Sequence, residues 1–236
     1  ELACGVEGRG RMEEPENILD KVLSSLSQSA TFVGKKVLIT AGPTYEAIDP
    51  VRFIGNHSSG LMGIEVARAF ADQGADVTLV LGPSNISPNR KNINLIPVTS
   101  AKEMYDAVMA FFPKTDIAVL SAAVADFRPE MVAEQKIKKN PDNDTFTIKL
   151  VKTEDILKSV GKIKTENQTV VGFALETENG LENAKKKLHT KNIDLIVLNE
   201  MNESGVGFKT KTNKITIINR EDQVTSFDLK QKNEVA

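Results

Sequence analysis

Short apolar runs alternate with longer amphipathic segments from residue 35 onward. The apolar runs are rich in Val, Ile, Leu and Ala, which is typical of strands buried in a parallel sheet. They cover residues 36–41, 76–81, 95–98, 116–124, 169–174 and 194–198. Helical periodicity covers residues 59–73, 100 to about 112, and 181–191. This alternation predicts an α/β fold with a doubly wound, mainly parallel, Rossmann-like sheet.

Other segments depart from this alternation. Residues 127–144 are polar and lysine-rich, and predict a mobile flap over a site. Residues 214–219 and 223–229 alternate in polarity across a short turn, which predicts a late β-hairpin that extends the sheet or pairs with a second chain. Residues 1–33 form a leader and linker with a short amphipathic helix over 18–26. We expect one domain to follow over 34–236.

Composition and charge narrow the possible partners. The chain has 236 residues, of which 40% are hydrophobic, and its formal net charge is −2. We therefore expect no nucleic-acid partner. Cys4 is the single cysteine, so no disulfide can form within the chain and a reducing compartment is favoured. No apolar run suits a signal peptide or a membrane span, so we expect a cytoplasmic protein with no membrane partner.

The insertion over 41–63, after the first predicted strand, is the strongest candidate for a binding site. Doubly wound sheets bind ligands beyond the carboxyl ends of their strands. Ser58, Ser59 and Gly60 precede a helix whose N-terminal N–H groups and dipole favour phosphate, although the serines equally suit helix capping. Arg52 suits phosphate or carboxylate, and the amide of Asn56 both donates and accepts hydrogen bonds.

Later candidates also follow predicted strands. Asp126 could hold a ribose, a base amine or a metal ion, and a tight turn explains it equally well. The lysines of the predicted flap could close on a triphosphate, although an isolated basic loop is commonly solvated. Phe173 could stack on a base. Lys187 and Lys191 are four residues apart and share one helical face.

A nicotinamide-dinucleotide site is disfavoured. Gly60 and Gly63 are only a fragment of the G-x-G-x-x-G motif, and the second strand lacks the terminal acidic residue that would hold the ribose. An NADP-dependent reductase with Arg90 as the phosphate partner stays an alternative, although neither Tyr45 nor Tyr105 is followed four residues later by Lys. A nucleotide-binding module without turnover is the other alternative.

Several motifs together resemble bacterial phosphopantothenate–cysteine ligase. They are the whole run over 41–63, A-A-V-A-D-F at 122–127, K-I-K-K at 136–139 and V-V-G-F-A-L-E-T at 170–177, in that family's order. The leader, L-A-C-G-V-E-G-R-G-R-M-E-E-P, resembles the end of the flavin-dependent decarboxylase that is fused in front of the ligase in many bacteria. We interpret residues 1–16 as a remnant of that enzyme. We expect no flavin and no decarboxylation, although Cys4 matches that family's proton donor.

The resemblance implies a particular reaction. The ligase activates the carboxylate of 4'-phosphopantothenate with CTP as an acyl-cytidylate, releases pyrophosphate, and then transfers the acyl group to L-cysteine with loss of CMP. It implies Mg²⁺ and a homodimer, for which the late hairpin is our candidate pairing surface.

The resemblance also assigns roles to residues. Asn56 would hold the acyl-cytidylate, and Arg52 would help its turnover or bind the substrate. Lys136 would neutralise the triphosphate as the flap closes. Asp126 would contact the nucleotide directly or through Mg²⁺. The family more often has Pro where Glu154 stands, which would alter a side-chain contact but not a backbone contact. The other nucleotide-binding positions implied are Gly42, Ser58, Ser59, Gly60, Met62, Leu120, Ser121, Ala122, Glu154, Asp155, Ile156, Leu157, Phe173, Lys187 and Lys191.

Overall fold

The computed structural model describes residues 31–139, 145–200 and 210–236, together with Pro15 and Ile18. The predicted leader helix over 18–26 and the decarboxylase remnant over 1–16 lie outside the described residues, apart from those two positions. Residues 140–144 of the predicted flap also lie outside them. The boundary between leader and domain at residues 33 and 34 therefore stays a prediction.

Strands and helices alternate along most of the described chain. The strands are β1 (Lys36–Ala41), β2 (Tyr45–Ala47), β3 (Phe53–Gly55), β4 (Asp76–Leu81), β5 (Ile93–Pro97), β6 (Ile117–Leu120), β7 (Phe127–Pro129), β8 (Leu150–Lys152), β9 (Thr169–Glu176), β10 (Leu195–Glu200), β11 (Thr212–Asn213), β12 (Thr216–Asn219), β13 (Val224–Ser226) and β14 (Lys230–Gln231). The helices are α1 (Leu61–Asp72), α2 (Ala101–Phe111), α3 (Ile156–Ile163), α4 (Gly180–Thr190) and α5 (Lys232–Val235). Among the described helices, none is long and apolar enough to cross a membrane.

The main sheet has eight strands in the order β13-β12-β10-β9-β6-β1-β4-β5. The strands from β10 to β5 in this order pair in parallel, whereas β12 and β13 add antiparallel at one edge. Numbered along the chain, the parallel strands have the 3-2-1-4-5-6 order of a Rossmann sheet, which reverses between β1 and β6. The predicted Rossmann-like sheet is therefore confirmed, and the late hairpin, β12–β13, extends it.

Side chains alternate between the two faces along each strand, so both faces of this sheet carry apolar side chains. Helices cover both faces for this reason. Val37 and Ile39 of β1 pack in a cluster with Ile64 of α1. Leu38 packs on the opposite face with Met104 of α2. Burying each such side chain contributes about 1.5–3 kcal/mol relative to leaving it exposed. The two clusters together hold the strand ends of β1 and β6 in place between the helix layers.

The ends of some elements differ from the prediction. β5 begins at Ile93, two residues before the predicted start, because Ile93 is buried and pairs with Val77. The prediction of a strand over 116–124 was wrong at its end. The ladder to β9 stops at Leu120, and Ala123 instead donates its N–H to the carbonyl of Gly42 at 2.9 Å. The residues after β6 thereby become a loop.

The capping box that was predicted before α2 is present. Ser100 Oγ accepts from the Glu103 N–H at 3.2 Å, and Glu103 Oε2 accepts from the Ser100 N–H at 3.3 Å. Each bond satisfies a backbone donor that the helix itself cannot satisfy.

The insertion after β1 contains a hairpin, β2–β3, that the polarity pattern did not predict. Its antiparallel register is supported by Tyr45 and Phe53, whose rings stack with centroids 3.9 Å apart. Glu46 is buried, and its carboxylate accepts from the N–H of Ala101 at 2.8 Å. This bond joins the hairpin to the first residue of α2, so the insertion is an ordered part of the domain. The β7–β8 hairpin and α3 were also missed.

Candidate active site

A cavity of about 750 Å³ lies at the carboxyl ends of β1, β6, β9 and β10. It includes the point where the strand order reverses, which is where ligands bind in this type of sheet. Ser121 Oγ donates to the carbonyl of Thr40 at 2.7 Å, and the Ala122 N–H donates to Thr40 Oγ1 at 3.2 Å. These bonds fasten the end of β6 to the end of β1 and fix the cavity floor between them.

Most of the residues that the sequence predicted for the site line this cavity. They are Asn56, Ser58, Ser59, Gly60, Met62, Leu120, Ser121, Ala122, Asp126, Glu154, Asp155, Ile156, Leu157, Phe173, Lys187 and Lys191. Gly42, Arg52 and Lys136 are not among the lining residues. The structure thus brings together residues from four separate parts of the chain, which no local pattern links.

The first turn of α1 forms one wall of the cavity. Gly60 precedes the helix with a φ of 81°, in the left-handed region that favours glycine, and no side chain among the described residues caps the helix there. Ser58 Oγ accepts from the Gly60 N–H at 3.2 Å, and Ser59 Oγ accepts from the Leu61 N–H at 3.4 Å. The serines thus bind backbone near the helix start, and the positive end of the helix dipole lies at the cavity.

Gly63 allows α1 to pack closely on the strand ends. A Cβ at this position would lie 2.4 Å from Ser121 Oγ and 2.6 Å from the Cβ of Ala41. These distances are far shorter than ordinary contacts between non-bonded atoms, which are about 3.5–4.0 Å. Glycine at this position therefore sets how near the first turn of α1 comes to the cavity floor.

The side chain of Asn56 is held by the loop that follows β6. Its Nδ2 donates to the carbonyls of Ala123 at 3.0 Å and Val124 at 3.1 Å. Two carbonyl acceptors require the NH₂ group on that side, so this contact determines the amide orientation. The Asn56 amide is therefore presented from a fixed position on the cavity wall.

The lysines of α4 differ in their surroundings. Lys187 Nζ donates to the carbonyl of Phe173 at 2.9 Å, and burial lowers the pKa of this ammonium group. Lys191 forms an ion pair with Asp155, the residue that caps α3 by accepting from the Lys158 N–H. Burial opposes the charged form of Asp155, but the bonds from Lys191 and Lys158 outweigh it, and the pKa of this carboxyl is lowered.

Arg52 and Lys136 lie at the junction of the insertion and the predicted flap. Asp49 is buried and pairs with the Arg52 guanidinium, and its carboxylate also accepts from the Ile137 N–H at 3.1 Å. The hydrogen bond from Arg52 holds the pKa of Asp49 far below its usual value. Arg52 also donates to the carbonyl of Ile137 at 3.0 Å. Lys136 is exposed next to this junction, so its action on a ligand stays a prediction that requires flap movement.

Arg90, the candidate partner for the phosphate of NADP, lies elsewhere. Its guanidinium binds both carboxylate oxygens of Asp72, at 2.6 and 2.9 Å, and it does not line the cavity. This placement removes the residue on which the reductase alternative depended.

Several further lining residues had not been assigned individually from the sequence, although six of them lie within the motif runs over 41–63, 122–127 and 170–177. They are Thr40, Leu61, Ala123, Val124, Phe127, Lys152, Thr153, Ala174, Leu175, Asn199, Asn213 and Lys232. Thr40, Ala123, Val124, Ala174 and Leu175 lie in or beside strand ends that had been predicted, so strand position alone would have found them. Asn213 and Lys232 belong to the C-terminal part of the chain, for which no local signal pointed to a site.

Asp126 is the lining carboxylate that was predicted to contact a metal ion. Within the described ranges, no group of three His, Cys, Asp or Glu side chains could hold a metal ion. Mg²⁺ commonly binds through one or two carboxylates together with substrate phosphates and water. The donor set therefore fits Mg²⁺ that arrives with a nucleotide, and does not fit an ion held by protein side chains alone.

The strand order and the cavity at its reversal define an α/β domain of the Rossmann type with a ligand site at the switch point. Residues 32–236 match the family described as the DNA/pantothenate metabolism flavoprotein C-terminal domain, and the chain belongs to this family. The resemblance inferred from the motifs is thereby confirmed.

Individual relatives agree with this assignment. The chain is 48% identical over 223 residues to the coenzyme A biosynthesis bifunctional protein CoaBC of Vibrio cholerae, covering 94% of this chain and 55% of that protein. It is 50% identical over 240 residues to a cysteine/cysteine sulfinic acid decarboxylase of an unknown prokaryotic organism, and the match covers 100% of this chain and 66% of that protein. The chain thus spans between about half and two thirds of the length of these relatives.

A solved structure has the same fold. The crystal structure of the C-terminal domain of the coenzyme A biosynthesis bifunctional protein CoaBC superposes with a TM-score of 0.73 at 39% sequence identity. The match covers 88% of this chain and 92% of that chain. The shared region therefore includes nearly the whole of that domain.

Proposed function

We propose that this chain is a phosphopantothenate–cysteine ligase of coenzyme A biosynthesis that uses CTP. The observation that carries the proposal is that three of the four motif segments, those over 41–63, 122–127 and 170–177, contribute residues to one cavity at the switch point of the sheet. The CoaBC proteins of Vibrio cholerae and Bacillus subtilis, which are 48% and 44% identical to this chain over the aligned residues, support the same assignment.

The first step forms the acyl-cytidylate. A carboxylate oxygen of 4'-phosphopantothenate attacks the α-phosphorus of CTP, a new P–O bond forms, and pyrophosphate leaves with the electrons of the broken P–O bond. The first turn of α1 would hold the phosphates, since the helix dipole places positive charge beside the cavity. Phe173, Lys187 and Lys191 would form the pocket for the base and ribose. Mg²⁺ on the triphosphate would neutralise part of its charge, and Asp126 is its candidate protein ligand. Positioning and electrostatics suffice, so no protein nucleophile is required.

The second step forms the amide. The amine of L-cysteine attacks the acyl carbon, the bond from that carbon to the phosphate oxygen breaks, CMP leaves, and the amine loses a proton. The acyl-cytidylate must stay in place while cysteine enters, which is the role we propose for Asn56. Its amide is held by the carbonyls of Ala123 and Val124, so it is oriented before the ligand binds.

The remaining assignments are also proposals. Lys136 would approach the triphosphate when the segment around Ile137 closes over the cavity. Arg52 would help the turnover of the acyl-cytidylate or bind the substrate, and Gly42 would contact the nucleotide. A cytoplasmic homodimer is proposed as well. The three residues of β13 are exposed at the sheet edge, where unpaired backbone groups suit pairing with a second chain.

The test measures pyrophosphate release from CTP and from ATP with 4'-phosphopantothenate and Mg²⁺, with and without L-cysteine. The proposal expects release with CTP that requires phosphopantothenate, and an amide product only when cysteine is present. Carbon dioxide is measured in parallel from L-cysteine and from cysteine sulfinic acid. Decarboxylation without amide formation would favour the activity named for the other relative, and CTP binding without release would indicate a binding module.

Two variants with a matched control test the assigned roles. Asn56→Ala should accumulate little acyl-cytidylate or lose it, whereas Lys136→Ala should slow its formation. Lys138→Ala removes another exposed charge from the same segment and should leave the rate close to that of the wild type. Wild-type rates in both Asn56→Ala and Lys136→Ala would show that the site assignment is wrong.

A further inference from the structure

Lys232 is a buried lysine that lines the cavity and that the mechanism above does not use. The residue is 6% exposed, and its side chain forms part of the cavity wall. Burial lowers the pKa of its ammonium group. Lysine is rarely buried to this extent because the charged form loses its hydration. A buried lysine with a lowered pKa that lines a cavity is a candidate for a role in ligand binding.

The C-terminal segment places Lys232 in the cavity wall through backbone contacts. β14 pairs antiparallel with β11, and the Lys232 N–H donates to the carbonyl of Lys211 at 2.9 Å. Gln231 and Glu234 form a capping box at the start of α5, in which the Gln231 N–H donates to Glu234 Oε2 at 3.0 Å. The backbone of Lys232 is therefore fixed on both sides, and its neighbour Lys230 is exposed.

The same segment adjoins the first turn of α1. α5 packs against α1. Asn213 of β11 is 4% exposed, and its Nδ2 donates to Asn199 Oδ1 at 2.8 Å and lies 3.9 Å from the sulfur of Met62. Met62 lies in the first turn of α1, and Met62, Asn199 and Asn213 all line the cavity, as Lys232 does. Lys232 thus belongs to the same part of the cavity wall as the positive end of the α1 dipole.

We propose that Lys232 binds the phosphate chain of the nucleotide, together with the first turn of α1. Two positive groups that converge on one wall favour an anion with several charges over a single carboxylate. Polyphosphate has this character. The identification of the ligand as CTP rests on the proposed function, but the binding of a polyphosphate does not. The last residues of the chain would then complete a site whose other parts come from the strand ends.

The test compares Lys232→Gln with Lys230→Gln, which removes an exposed charge two residues away. The probes are CTP, cytidine and inorganic tripolyphosphate, and their affinities are measured by titration calorimetry with the whole chain. Loss of one charge-assisted contact weakens binding about 10- to 100-fold. We expect this loss for CTP and for tripolyphosphate in Lys232→Gln, no loss for cytidine, and no loss in Lys230→Gln. Lys232→Arg, which keeps the charge, should recover part of the affinity.

A second measurement uses the wild-type chain, so that it does not depend on the folding of a variant. Tripolyphosphate should protect the Lys232 amine from acetylation, as read by mass spectrometry, and should leave Lys230 unprotected. Absence of protection, unchanged tripolyphosphate affinity in Lys232→Gln, or equal losses for cytidine and CTP would each overturn the proposal. A wild-type chain that makes no amide but binds tripolyphosphate through Lys232 would refute the ligase and leave this inference intact.

Discussion

Replacing Gly63 with Ala tests whether close packing of α1 on the strand ends determines the shape of the cavity. Gly63 is buried in the first turn of α1. A Cβ would lie 2.4 Å from Ser121 Oγ, 2.6 Å from the Cβ of Ala41 and 3.1 Å from the carbonyl oxygen of Thr40. Ala41 and Thr40 belong to a central strand, so they cannot move without the sheet. The helix start must therefore move away from the cavity floor.

The expected magnitude follows from these distances. An ordinary carbon contact is about 3.5–4.0 Å, so the first turn of α1 must shift by roughly 1 Å. Overpacking of this kind costs about 1–3 kcal/mol. The better helix propensity of alanine offsets up to about 1 kcal/mol of that cost. We therefore expect a net loss of about 1–2 kcal/mol in the free energy of unfolding. A displacement of about 1 Å in groups that position reactants can reduce the rate by about 100-fold.

The assay combines urea unfolding with pyrophosphate release from CTP. Ser121→Ala alone is the control, and the double variant Gly63→Ala/Ser121→Ala removes the nearest clashing atom, Ser121 Oγ. The double variant should recover part of the stability lost in Gly63→Ala, although the contact with Ala41 remains. A Gly63→Ala variant that is at least as stable as the wild type, with unchanged nucleotide affinity, would refute the argument that this contact positions α1.

Further predictions concern charge and capping. Because the pKa of Lys187 is lowered, the native chain releases this proton at a lower pH than the unfolded chain does. The free energy of unfolding of the wild type, relative to that of Lys187→Met, should therefore increase as the pH rises toward the unperturbed lysine pKa of about 10.4. A pH-independent difference in urea unfolding between pH 7 and 11 would contradict this. The pKa of Asp49 is lowered, so its stabilisation is present above the unfolded pKa of about 3.9 and is lost as the pH falls below it. The stability advantage over Asp49→Asn should accordingly shrink in acid unfolding, and an advantage that grows would count against the Arg52 pairing. Ser100→Ala should cost about 1 kcal/mol in urea unfolding because it removes the α2 cap, and a negligible change would show that the cap is dispensable.

The sequence by itself determined the order and type of the main elements. β1 and β4 have the predicted bounds because a strand buried on both faces is mostly apolar, and in each of them an exposed charged residue marks the start. The start of α2 was predicted correctly because its capping residues are neighbours in the chain. Such features depend on local chemistry, and the right-handedness of crossovers limits the orders in which parallel strands can be arranged. The motif run over 41–63 also indicated the family without any structure.

Tertiary structure decided which side chains share the site. Arg52 lies within the motif over 41–63, yet its guanidinium pairs with Asp49 and contacts Ile137, which no local pattern indicates. Lys232 had no sequence signal, yet the pairing of β14 with β11 and the packing of α5 on α1 place it in the cavity wall. The physical reason is that burial and charge at a site arise from contacts between segments far apart in the chain. Periodicity predicts which face of an element is buried, but it does not identify the distant side chain that will meet it.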